Sequence, residues 1–148
     1  MKADSRLSRA WWPVALYACV ILAATSIPGD RLALVSDIEN VDRWLHVLLC
    51  VPLAVLVFGA LRRSRPHLPL VHYGIAAVLF CSAFGVLDEL HQCLIPGRSC
   101  DVWDMIADAV GSVPGTAASM ALIYIHQRAG CGGPAPAWAA DSDQSDCT

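Results

Sequence analysis

The stretch GVLDELHQCLIPGRSCDVWDMIADAVGSVPG, residues 85–115, leaves one strongly apolar segment, crosses a short polar loop and enters another. Along it stand Asp88, Glu89, His91, Gln92, Arg98, Asp101, Asp104 and Asp108, where a chain surrounded by lipid should avoid charge. Helical periodicity organises them. At about 100° per residue, Asp101, Asp104, Asp108, Gly111, Ser112, Gly115 and Ser119 fall on one side of a helix, with Trp103, Ile106, Val110 and Val113 opposite. Upstream of the loop, Cys81, Gly85, Asp88, Glu89 and Gln92 share one side of a second helix, while His91 points away from its centre. Asp42 and His46, one turn apart, align on a third.

The composition sets the class. Of 148 residues, 56% are hydrophobic and 16% charged, well below the roughly 25% charge of soluble chains. Mean hydropathy is +0.52. The apolar residues arrive in four blocks, at about 11–27, 44–61, 70–90 and 102–125, each near the ~17–25 residues of a spanning helix. The first block exceeds the ~7–15-residue core of a signal peptide, so it reads as a helix that is kept. The predicted fold is all-α: an integral membrane four-helix bundle over residues 11–126. Residues 1–10 form a short N-terminus, and the small, acidic segment 127–148 lacks the periodicity to fold and reads as a disordered tail.

Basic residues orient the bundle. Lys2, Arg6, Arg9, Arg62, Arg63 and Arg65 flank one end of the helices, against Arg31, Arg43 and Arg98 at the other. By the positive-inside rule both termini are cytoplasmic and the two acidic connectors face outward. Trp11 and Trp12 mark one interface, Trp44 and Trp103 the other. The polar stripes therefore gather at the extracytoplasmic ends of three helices. A net charge of −3 offers no footprint for nucleic acid.

The seven cysteines contain no C-x-x-C pair. Cys93 and Cys100 flank the polar loop and can pair if it faces an oxidising compartment, although spacing alone does not establish the geometry. Gly111 and Gly115 form a GxxxG spacing, which means close helix packing more often than ligand approach. Pro52 and Pro114 interrupt helices two and four, and a packing kink is the simplest reading of each.

The candidate site comprises Asp42, Arg43, His46, Asp88, Glu89, Gln92, Arg98, Asp104 and Asp108. A charge inside a bilayer costs at least ~2.5–3.5 kcal/mol, so these groups must pair or meet water. In the bland reading they are polar bolts, Asp104 and Asp108 pairing with Arg98, Arg43 or His46 to fix helix packing. In the functional reading they bind or react, because several carboxylates converge with few cations. No cofactor is predicted. Carboxylates with a His are compatible with a hard divalent cation more than with zinc, as no cysteine set accompanies them.

The ordered set of Ser26 and Pro28, then Asp42, Arg43 and His46, then Glu89 and Gln92, the PGR of Pro96–Arg98, and Asp104, Asp108, Gly111 and Gly115 resembles the VanZ-like family of small bacterial membrane proteins, named for a teicoplanin-resistance accessory protein. The resemblance covers about residues 12–125. Two positions depart from it: Arg43 stands where the family usually has lysine, and Asp108 where asparagine is frequent. The resemblance implies a cytoplasmic-membrane protein linked to glycopeptide resistance, with no reaction to carry over.

Three functions are then in view. One is an envelope factor whose outward site binds a glycopeptide, lipid head group or lipid-linked cell-wall precursor, with Arg98 on phosphate or carboxylate and Glu89 and Gln92 orienting it. The second is a membrane enzyme on a lipid-linked substrate, with His46 or Glu89 as base and Asp104 and Asp108 as acid or metal ligands. The third is a proton- or ion-coupled transport element titrating at Asp108. The expected surroundings are the lipid bilayer, and a homo-oligomer is compatible with all three.

Overall fold

Each apolar block becomes a single helix: α1 Lys2–Thr25, α2 Val41–Ser64, α3 Leu70–Gln92 and α4 Val102–Cys131. The structure is a computed structural model describing residues 2–28 and 41–131, and the side chains of 9–28 and 43–129. No strand occurs among the described residues, so the all-helical expectation holds. Three helices are long and apolar enough to cross a membrane, over Arg43–Ser64, Leu70–Gln92 and Val102–Ala129; the apolar part of α1, Arg9–Thr25, is shorter. The helix α4 continues to Cys131, past the expected start of the tail, and the rest of that tail lies outside the described residues.

The chain turns where the sequence breaks it. Arg62 and Arg63 occupy the last turn of α2, where cations complement the helix dipole. Pro69 then caps α3. Between them the Tyr73 hydroxyl donates to the Arg65 carbonyl and accepts the Leu68 N–H, which ties the turn to α3. At the other end of the bundle the α3–α4 loop makes a Pro96–Gly97 turn. Gly97 takes φ 78°, and the Arg98 N–H reaches the Ile95 carbonyl at 3.2 Å, the pattern of a type II turn. Cys93 and Cys100 are joined by a disulfide across this loop, with Cα atoms 5.3 Å apart.

The second helix is the hub, packing against α1, α3 and most extensively α4. Its Leu53, Ala54, Val57 and Phe58 are fully buried, against Val14 and Ile21 of α1 and Tyr73, Ala77 and Cys81 of α3. Since lipid is as apolar as leucine, side-chain burial alone does not hold such helices together; close packing does. Gly111 and Gly115 supply it. A β-carbon at either would strike the carbonyl of Val47 or Val51 on α2, so the GxxxG stripe is a helix–helix seam. The opposite face of α4, with Trp103, Ile106, Val110 and Val113, is exposed, as a lipid-facing surface should be. Pro13, Pro52 and Pro114 lie inside α1, α2 and α4, which run through them without a break.

Candidate functional site

Antiparallel packing brings the end of α1, the start of α2, the end of α3 and the start of α4 to one end of the bundle. The polar residues meet there. Asp88 and Glu89 (each 1% exposed), Gln92 (1%), His46 (3%), Asp108 (4%) and Asp104 (6%) are removed from their surroundings although they lie in apolar helices. Burial of this kind requires partners.

Asp108 reaches His46, its two carboxylate oxygens 3.3 and 3.4 Å from Nδ1. The Cys50 thiol donates to the same carboxylate at 3.2 Å. Room for the Asp108 side chain comes from Gly85 on α3, where a β-carbon would overlap it. Across the His46 ring, the Gln92 amide nitrogen lies 3.5 Å from Nε2 and donates to Asp88 Oδ2 at 3.0 Å. Asp88 Oδ1 in turn accepts the Thr25 hydroxyl at 2.7 Å, which ties α1 to α3. Ser26 Oγ and His91 Nε2, 2.8 Å apart, make a second link between the same helix ends. His91 thus turns toward α1, away from the carboxylates.

Asp101 organises the mouth. Its carboxylate caps α4 by accepting the Trp103 N–H at 2.9 Å, and its own N–H donates to Glu89 Oε1 at 2.6 Å. Arg43 spans the gap from α2, with one guanidinium nitrogen 3.2 Å from Asp101 Oδ2 and Nε 3.6 Å from Asp104 Oδ1. The other oxygen of Glu89, Oε2, is buried with no hydrogen-bond partner among the described residues. Ligating atoms of His46, Glu89 and Asp104 all lie within 4.8 Å of one another.

Seven of the nine sequence-predicted residues thereby gather in two bonded sets, His46, Asp88, Gln92 and Asp108 in one and Arg43, Glu89 and Asp104 in the other, which approach each other at His46, Glu89 and Asp104. Arg98 is half-buried on the α3–α4 loop. Asp42 belongs to the first turn of α2, and its side chain lies outside the described residues. Glu89 and Gln92 make their hydrogen bonds to Asp101 and Asp88. Sequence reasoning missed Thr25 and Cys50. Cys50 was within reach, standing one turn after His46 on the same face of α2. Nothing in the sequence singles out Thr25.

Beside this network, a cavity of about 370 Å³ opens between α2 and α4, lined by Arg43, Trp44, Val47, Trp103, Ile106, Ala107 and Val110. Its wall grades from a guanidinium through two indoles to aliphatic side chains.

A sequence model of the family described as VanZ/LLP1 matches residues 14–124, well over half of the chain. No curated protein and no solved structure matches it. The chain belongs to the VanZ/LLP1 family and is a VanZ-like membrane protein, with apolar helices long enough to span a bilayer.

Proposed function

We propose that this member of the VanZ/LLP1 family is an envelope factor of the glycopeptide (teicoplanin) resistance type in the bacterial cytoplasmic membrane. In this reading its polar end faces outward and binds an anionic amphiphile, either a lipid-linked cell-wall precursor or a lipid head group, or the antibiotic that targets such a precursor. One observation carries it: the cavity between α2 and α4 sets Arg43 above an apolar wall of Val47, Ile106, Ala107 and Val110. A guanidinium suits phosphate or carboxylate, and indoles such as Trp44 and Trp103 suit the head-group level. Arg98, half-buried on the α3–α4 loop, brings a second guanidinium to the same end of the bundle.

The outward orientation rests on the excess of basic residues at the opposite end and on the Cys93–Cys100 disulfide, a bond that persists in oxidising compartments. The test is expression in a glycopeptide-susceptible bacterium. Wild type should change the inhibitory concentration of the drug, and Arg98→Ala should abolish that change while the protein still accumulates in the membrane. Unchanged susceptibility with normal accumulation overturns the reading.

The enzyme reading is favoured by a separate observation, the His46 ring held by Asp108 at Nδ1, which is how a general base is oriented. Turnover of a lipid-linked substrate that His46→Gln abolishes, at normal membrane levels, would select it.

A further inference from the structure

His46, Glu89 and Asp104 each bring one ligand atom within 4.8 Å of the other two, and each has a second contact that orients its side chain. His46 Nδ1 is held by Asp108, Glu89 Oε1 by the Asp101 N–H, and Asp104 Oδ1 by Arg43 Nε. This is the outer-shell arrangement that fixes ligand orientation around a metal, including the carboxylate that sets a histidine's tautomer. With the proton on Nδ1, the lone pair is on Nε2, whose contact with the Gln92 amide nitrogen, 3.5 Å long, is one that an ion would replace. We infer that His46, Glu89 and Asp104 bind one divalent cation between α2, α3 and α4.

Three further observations converge on the same point. The ligating atoms lie within 4.8 Å of one another, and ligands around an ion at ~2.0–2.2 Å are separated by roughly 3–3.5 Å, so small side-chain rotations close the set. Glu89 Oε2 is buried with no hydrogen-bond partner among the described residues, a costly condition that a cation removes. Four acidic side chains, Asp88, Glu89, Asp104 and Asp108, are buried at one end of the bundle, where a doubly charged ion offsets their mutual repulsion.

The donors define the ion. One imidazole nitrogen and carboxylate oxygens suit Mn²⁺ better than Ca²⁺, which prefers oxygen alone, or a soft ion, which prefers sulfur; Zn²⁺, less expected from the missing cysteines, competes because histidine–carboxylate sets also hold it. Cys50 is turned onto Asp108, in the outer shell. Three protein ligands leave a coordination position for water or for a ligand's phosphate oxygen. Binding of the ion does not depend on which envelope ligand the site recognises, nor on whether it recognises one.

The full chain, purified in detergent and stripped with a chelator, should take up one Mn²⁺ per chain, read from loss of the free-ion magnetic resonance signal, and Zn²⁺ should displace it. Glu89→Gln and His46→Gln should weaken binding by more than about 10-fold, and Asp108→Asn by about 10-fold through the outer shell. Should these variants not accumulate, wild-type protein decides alone: bound Mn²⁺ should show coupling to one imidazole nitrogen in pulsed measurements. Failure of both ions to bind, binding unaltered by Glu89→Gln, or bound Mn²⁺ without nitrogen coupling overturns the inference. None of these readouts involves drug susceptibility, so loss of the resistance-type function and loss of the ion are told apart.

Discussion

A β-carbon added at Gly85 would stand 2.6 Å from the Asp108 β-carbon and 2.5 Å from Oδ2. Asp108 cannot retreat cheaply, because the same carboxylate accepts from Cys50 and meets His46. Gly85→Ala is therefore expected to destabilise the bundle by ~1–3 kcal/mol, the usual cost of overpacking, read as a lower unfolding temperature in detergent. The Gly85→Ala, Asp108→Ala double variant should recover part of that loss, since it removes Oδ2 and Cγ from the overlap and leaves only the β-carbon. Thr25 poses a different question. Its hydroxyl is the donor to buried Asp88 from α1, so Thr25→Val should cost roughly 1.5–3 kcal/mol and Thr25→Ser much less. At this scale the sequence was informative about positions and silent about partners. The 100° periodicity placed Asp104 and Asp108 on the inner face of α4, where both are buried. It carried no information on which residue of another helix would meet them. Hence Cys50 and Thr25 surfaced only in three dimensions, along with the pairing of Arg43 with Asp101.

Among the helices, α2 and α4 make the decisive seam, and the sequence announced it. The GxxxG spacing of Gly111 and Gly115 sat on the same stripe as the aspartates, so the approach of α4 to its neighbour and the burial of its charges were one pattern. The structure adds which neighbour: the carbonyls of Val47 and Val51 on α2 fill the two notches. Gly111→Leu should force the helices apart along their whole contact and scatter His46 from Asp104 and Asp108. A heterogeneous elution profile and faster proteolysis in detergent would report it. Val113→Leu, on the exposed face of the same helix, should leave both unchanged. Equal behaviour of the two variants would mean that the seam does not hold the bundle. Pro52 and Pro114 read in sequence as packing kinks, and α2 and α4 continue through both. Proline removes one hydrogen bond from a helix, and packing by neighbours on several sides is enough to keep α2, the hub, in register across that loss.

For the molecule as a whole, the question that governs function is which side of the membrane receives the polar end. The helix order fixes that Thr25, His46, Gln92 and Asp104 share an end, while Trp11 meets Ser64 at the other through a 3.0 Å hydrogen bond. Sidedness is a separate matter, and two independent features bear on it. Arg62, Arg63 and Arg65 lie at the Trp11 end, which positive-inside reasoning assigns to the cytoplasm. The Cys93–Cys100 disulfide lies at the polar end, and a reducing cytoplasm would not preserve it. The cysteines turn this into a measurement. Cys93 and Cys100 belong to the polar end, whereas Cys131 ends α4 at the opposite end and Cys147 follows it in sequence. In intact cells, a membrane-impermeant maleimide should label a Cys131→Ser, Cys147→Ser variant only after an impermeant reductant has opened the loop disulfide. A Cys93→Ser, Cys100→Ser variant should resist labelling until the cells are lysed. The reverse pattern would put Arg43, Arg98 and the α2–α4 cavity on the cytoplasmic side. An envelope ligand confined to the outer face could not then reach them, and the proposed function would fall with the orientation, while cation binding by His46, Glu89 and Asp104 would stand.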